Sequence, residues 1–390
     1  MPHTSRRQFL ANAAHLGLLL GAGGSVAAAC GGGNARTSAT LEPIKDGLAP
    51  EKGPLRIYNY ADYVSPDTIA GFEALYGVKV EITTFDSDSE AITKLASRAV
   101  RVDLHHSMAP NTIGRLIQGK LIRPINKSYI PNFANVGSGL ADPYYDAGSA
   151  HSVPYTLFST GIGYRADRID AAEVESLGWD LLWNEQFKGQ ISIIDDYRES
   201  LAMAILRSGT RDVNTTDPVV IASAGAALKE LVDLVNVKVN IEGYKDVPSG
   251  ETSTAHCWSA DMLVGAAGYL PEGVGPDVLG FWYPPDDIGV VNNDCMGVLA
   301  DAENPVLAHL YMNYLLDLQV AEDNFAVNGY LPALADLTAD RLIGKGLVPD
   351  NLRNCVPTQA QIDTGLRLIE LELDADTVWQ DTWSSFTAGG

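Results

Sequence analysis

Hydrophobic and polar positions along the chain follow two periods that keep changing places. In "LRIYNY", residues 55 to 60, apolar Leu55 and Ile57 recur at every second position, the spacing of a strand with one buried face. "SPDTIAGFEALYG", residues 65 to 77, switches to helical spacing. Ser65 is placed to cap this helix, Pro66 suits its first turn, Ile69, Phe72 and Tyr76 form the apolar stripe, and Gly77 stops it. "VKVEITTF" (78–85) alternates strictly and predicts a half-buried strand. "SDSEAITKLASRAV" (87–100) opens with Ser87 and Glu90 at capping-box spacing and continues as a helix. Strand, helix, strand, helix at this spacing predict an α/β fold with a largely parallel sheet.

The alternation returns downstream. "QISII" (190–194) leads into a helix over 196–208, and "DPVVIASAGAALKELVDLV" (217–235) starts with Asp217 as cap and Pro218 in the first turn. One long helical stretch runs from Asn304 and Pro305 to Gly329, and a last helix lies within residues 359–386. No internal repeat is visible. Two α/β lobes are the natural reading. Open α/β sheets hold ligands outside the carboxyl ends of their strands, and two facing lobes make a cleft that shuts by hinge motion.

Within this pattern, "SIIDDYRES" (192–200) puts Asp195, Asp196 and Glu199 on a strand-to-helix turn. Locally, Asp196 and Glu199 fit an Asp-x-x-Glu capping box. Such acids at a helix start repel an anion and suit a cation. The whole chain agrees in sign: 27 Lys plus Arg face 49 Asp plus Glu among 390 residues. That excess argues against nucleic acid, whose phosphates need a basic surface. Net charge by itself speaks mainly of solubility. With 46% hydrophobic and 19% charged residues the chain can bury a substantial core.

The N-terminus has the pattern of an export signal. "SRRQFL" carries Arg6 and Arg7, and "LGLLLGAGGSVAAA" then runs to Cys30, too short to span a bilayer. The arginine pair resembles a twin-arginine signal. "AAAC" resembles a lipobox with Ala27 where Leu is usual, making Cys30 the lipidated first residue after a signal peptide of residues 1–29. Residues 30–53 have the composition of a flexible tether. Of the remaining cysteines, Cys257, Cys295 and Cys355, one pair could form a disulfide outside the cytoplasm. The sequence holds no CxxC, HExxH or Cys/His zinc spacing.

From about residue 54 onward the chain resembles the spermidine/putrescine-binding proteins of polyamine ABC importers. The segments that carry the resemblance are "YNYADYVSPDTIAGFEALYGVKV", "VPYTLFSTGIGY", "LLWNEQFKGQISIIDDYRES", "NTTDP", the Trp258 region and "NGYLP". The resemblance implies a two-lobed type II periplasmic-binding-protein fold, each lobe a mostly parallel sheet flanked by helices. Lobe 1 takes residues 54–155 with 289–336, and lobe 2 takes 156–288 with 337–390. It implies a linear polycation held between the lobes, carboxylates on its ammonium groups and aromatic faces along its methylenes.

By that resemblance the ligand-binding residues are Tyr60, Asp62, Tyr63, Asp196, Glu199, Trp258, Asp294 and Tyr330, while Asp195 is structural. Three positions depart from the family. Asn292 stands where a second stacking Trp is found, and Met108 and Pro110 replace a polar Ser and Tyr. His105 and His106 precede them; as strand neighbours they point to opposite faces, one packed and one near the cleft. The implied function is that of an extracytoplasmic lipoprotein, monomeric and without metal or cofactor. It delivers its ligand to a membrane permease powered by separate ATPase subunits.

Other readings compete. The same lobes serve binders of other small solutes, iron and anions among them. Tyr144 and Tyr145 hint at metal, whereas the acids at 195–199 oppose an anion. An exported hydrolase would use Asp196 and Glu199 as acid and base, but the sequence has no G-x-S-x-G elbow, HExxH or P-loop beside them. A structural lipoprotein would not need acids and aromatics together at strand ends.

Overall fold

The computed structural model describes residues 41–388 apart from Asp86, Asp286 and Asp287; the readings of the export signal and of Cys30 fall outside this range. In it the two sequence periods become nine strands, in chain order β1 Leu55–Asn59, β2 Val80–Thr84, β3 Leu104–Met108, β4 Val153–Arg165, β5 Ile191–Ile194, β6 Lys238–Asn240, β7 Thr254–Trp258, β8 Leu279–Trp282 and β9 Val291–Val298. They lie in the order β2-β1-β3-β9-β4-β7-β5-β6, with β8 paired to β4.

The sheet is mixed. β1 runs parallel to β2 and β3, and β5 runs parallel to β6 and β7. Between these parallel groups, β9 is antiparallel to β3 and β4, and β4 is antiparallel to β7 and β8. A strand–helix–strand pattern reports only the parallel units, so the long antiparallel β4 and β9 are what the local pattern left out.

The helix Pro66–Tyr76 shows how the local code works. The Ser65 hydroxyl accepts from the Thr68 N–H, and Gly77 closes the helix in the left-handed region at φ 67°. Phe72 on its inner face is fully buried, worth roughly 2 to 3 kcal/mol. The span from 304 to 329, read as one helix, is two: Pro305–Leu315 and Leu318–Asn328. The break is chemical. The Asp317 carboxylate caps the second helix by accepting from Gln319 and Val320 N–H. The C-terminal stretch likewise divides into Gln359–Thr364 and Leu373–Thr387.

The tether reading extends too far. Ile44 and Lys45 carbonyls accept from Asn126 and Tyr129, and the Asp46 carboxylate accepts from Asn126 and Ser128. The Glu51 carboxylate takes Val306 and Leu307 N–H, supplying the cap that Asn304 does not give the helix Pro305–Leu315. Residues 44–51 therefore belong to the folded body. Cys257, Cys295 and Cys355 are all free and buried, so the possible disulfide does not form. Among the described residues no helix is long and apolar enough to cross a membrane.

Candidate functional site

The acids of "SIIDDYRES" stand at the carboxyl end of β5. Asp196 is the N-cap of the helix Tyr197–Arg207, accepting from Arg198 N–H at 2.8 Å and Glu199 N–H at 3.0 Å. Glu199 does not complete the box. Its Oε1 accepts instead from the Trp258 indole N–H at 3.1 Å, and the Thr160 hydroxyl is the buried carboxylate's other polar neighbour. So Asp196 caps and also carries charge, while Glu199 is turned wholly inward. Asp195 is exposed, and Arg198 points away, onto the Ile369 carbonyl and the Asn214 side chain.

The floor of the cleft follows from strand alternation. Thr156, Phe158 and Thr160 lie on one face of β4. Directly opposite them in the sheet stand Asp294 and Asn292 of β9 and Trp258 of β7. Phe158 meets Trp258 edge-on, with ring centroids 6.4 Å apart. The sequence reading missed Phe158, which lies cross-strand from Asn292 and supplies an aromatic ring beside the position where the expected Trp is absent.

The opposite wall comes from β1 and the turn after it. The Tyr63 hydroxyl donates to Asp294 Oδ2 at 2.5 Å and lies 2.8 Å from Thr156 Oγ1. Tyr330 packs edge-on against Tyr63 with centroids 4.3 Å apart. Tyr60 lies 6.1 Å from Tyr63, and its hydroxyl donates to Asp88 Oδ1 at 3.2 Å. Asp88 is the second finding the sequence did not give. Asp261, one helical turn beyond Trp258, is also buried, against Gly243, and its charge acts on Tyr330.

Burial raises all five acids, and the Arg198 charge offsets it only in part at Asp196 and Glu199. Burial, then the Asp294 charge, pushes Asp88 up to about 7. Burial and the neighbouring Asp196 push Glu199 up to about 7. Burial raises Asp294 to about 6 against the opposing Tyr63 hydrogen bond, and raises Asp261 to about 8. Asp196 is also raised by burial, although two backbone N–H groups hold it down. Among the described residues no lysine or arginine forms an ion pair with any of these five.

The structure thus brings together Tyr60, Tyr63, Asp196, Glu199, Trp258, Asp294 and Tyr330. It sets Asp62 apart: that residue is exposed, in the left-handed region at φ 58°, its charge reaching Tyr244. His105 and His106 are both buried, and His106 lies behind the cleft wall, its ring 6.2 Å from that of Tyr63. His105 sits against Phe85 and Tyr58, His106 against Tyr155, and burial takes their pKa values down to about 4 and about 3. Met108 is core, and Pro110 starts the helix Pro110–Gln118. Tyr144 stacks edge-on against Tyr145, whose hydroxyl meets Asn293 and Cys295, so this pair does not face the acids.

The sequence profile of bacterial extracellular solute-binding proteins matches residues 67–345. The chain belongs to this family. As a solute-binding protein it acts outside the cytoplasm. It is 28% identical over 308 residues to the spermidine/putrescine-binding periplasmic protein of Escherichia coli, covering 77% of this chain and 85% of that one. It is 26% identical over 269 residues to the putrescine/cadaverine-binding protein of Pseudomonas aeruginosa, covering 67% and 74%. Among solved structures, the spermidine/putrescine ABC transporter substrate-binding protein of Streptococcus pneumoniae superimposes with a TM-score of 0.70 at 22% identity, covering 86% of this solute-binding protein and 98% of that chain. The halves joined through β4 and β9 are the two lobes of the type II fold.

Proposed function

We propose that this solute-binding protein captures a linear polyamine of the putrescine/spermidine class between its lobes and hands it to a membrane permease of the ABC type, whose ATPase subunits supply the energy. The observation that carries the reading is the group Asp88, Asp196, Glu199 and Asp294, acids raised by burial and acting on one another, none of them in an ion pair among the described residues. A buried carboxylate without a cation costs several kcal/mol, and an ammonium that both compensates it and donates hydrogen bonds removes that cost. Trp258, Phe158 and Tyr60 offer apolar faces for methylenes and cation–π attraction on the order of 1 kcal/mol. The names of the matched relatives agree.

Lobe 1 is assigned residues 54–155 with 289–336 and lobe 2 residues 156–288 with 337–390. Ligand shifts the population to the closed state because only there do both lobes touch it. The protein is a monomer, catalyses no reaction and uses no cofactor. After export by the twin-arginine-like signal, Cys30 carries its lipid anchor.

The test is calorimetric titration with putrescine, spermidine and agmatine at moderate salt, beside an Asp196→Asn, Glu199→Gln double variant. Binding that the double variant loses supports the reading. An absence of heat with every amine would leave Asp196 as a helix cap and Glu199 as a buried acid serving another solute.

A further inference from the structure

We propose that Asp88 is a ligand-contacting residue that, with Asp294 and Tyr60, forms an additional ammonium subsite and biases the cleft toward linear amines with three or more charged nitrogens over diamines. The inference rests on the polyamine reading and specifies the substrate within it.

Asp88 is the first residue of the helix Asp88–Ala96 and follows β2, so it stands at the carboxyl edge of the parallel strands, where α/β folds place ligands. A local explanation exists, since acids favour helix N-termini. It does not account for where the side chain goes. Ser87 already caps the helix through Glu90 N–H, and a carboxylate serving only the helix start could lie in solvent. Instead it meets the Tyr60 hydroxyl at 3.2 Å. Tyr60 packs on Tyr63, and Tyr63 donates to Asp294 at 2.5 Å. Two tyrosines thus stand between two carboxylates along one wall. The charge that acts on Asp88 most strongly is that of Asp294, with Asp196 of the other lobe next.

On its own helix Lys94 forms an ion pair with Glu90. Across the cleft Asp196 and Glu199 form a second acidic pair, and there Glu199, only 6% exposed, meets the Trp258 indole and the Thr160 hydroxyl but no ammonium or guanidinium in an ion pair. A diamine can place one ammonium on each side and leaves carboxylates of both pairs uncompensated. A third ammonium answers that excess. Binding of a polycation by opposed acidic walls therefore favours the higher charge, and Asp88 is what makes the lobe-1 wall a pair.

The experiment is titration of the full-length protein, wild type and Asp88→Asn, with spermidine and with putrescine in one buffer at fixed salt. Asparagine keeps the size and an acceptor for Tyr60. Asp88→Ser, a good residue for a first helical turn, serves as the second variant, and thermal unfolding of the ligand-free proteins checks folding. Wild type is expected to prefer spermidine by tenfold or more. Both variants are expected to weaken spermidine at least tenfold and putrescine less than threefold. An unchanged spermidine-to-putrescine ratio in folded variants overturns the Asp88 subsite. If that ratio stays while Glu199→Gln abolishes binding, the polyamine reading stands and only the subsite falls. If wild type binds neither amine, both fall.

Discussion

Replacing Glu199 by glutamine should move stability and ligand binding in opposite directions. Glu199 is 6% exposed, and its carboxylate meets the Trp258 indole and the Thr160 hydroxyl but forms no ion pair. Burial and Asp196 raise it from 4.5 to about 7. A rise of that size corresponds to about 3 kcal/mol against the ionised folded state. The sign follows from proton counts. Between the two values the folded protein holds a proton that the unfolded chain has lost, so the cost is absent below 4.5 and complete above about 7. Glutamine keeps the acceptor for Trp258 and removes the charge. At pH 8 the ligand-free variant should melt higher by about 3 to 5 °C, given the unfolding entropy of a chain this long. At pH 4 the difference should vanish. Amine affinity should fall at pH 8 by about 2 to 4 kcal/mol, roughly 30- to 1,000-fold, because a desolvated ammonium loses its counter-charge. Differential scanning calorimetry and titration calorimetry on the same samples measure both. A variant that melts lower than wild type at pH 8, or that binds spermidine as tightly, would refute the reasoning.

Three further outcomes are expected. Spermidine affinity should weaken as pH falls from 8 to 6, because Asp88, Glu199 and Asp294 take up protons at about 7, 7 and 6; titration in buffers of different ionisation enthalpy should show protons released on binding. Phe158→Ala should cost putrescine and spermidine alike about 1 to 2 kcal/mol, seen by titration calorimetry, through lost apolar area over the methylenes. Asp62→Asn should change either Kd less than about threefold, since an exposed charge is screened, and a larger loss would place Asp62 on the ligand.

Much of the molecule was legible where cause and effect are close in sequence. Ser65, Gly77, Asp196 and Asp217 act on N–H groups or backbone angles within a few residues, so their roles could be read directly. The same locality misled at Asp88. "SDSE" is fully explained as a helix start, and nothing nearby says that the Tyr60 hydroxyl will bond the carboxylate or that the charge of the distant Asp294 will act on it. Phe158 was hidden differently. It lies in the run "VPYTLFSTGIGYR", buried along nearly its whole length, where alternation no longer distinguishes the face over the cleft. The tether was overextended because composition reports what a segment is made of, while Glu51 is held by a helix start some 250 residues later. His105 and His106 show the converse: alternation correctly put them on opposite faces of β3, but both faces are core.

The thirteen residues of β4 also set how the two lobes can move. One stretch of it is bonded to β9, another to β7 and β8, with Phe158 and Thr160 where the partners change. A strand held along both edges cannot swing like a loose joint. Rotation of one lobe against the other must be taken up as extra twist in the strand, which then acts as a torsion bar. A ligand resting on Phe158 and Thr160 would sit on the segment that stores this twist. The molecule should accordingly be a sprung clamp, its opening angle and its grip governed by the same few peptide units.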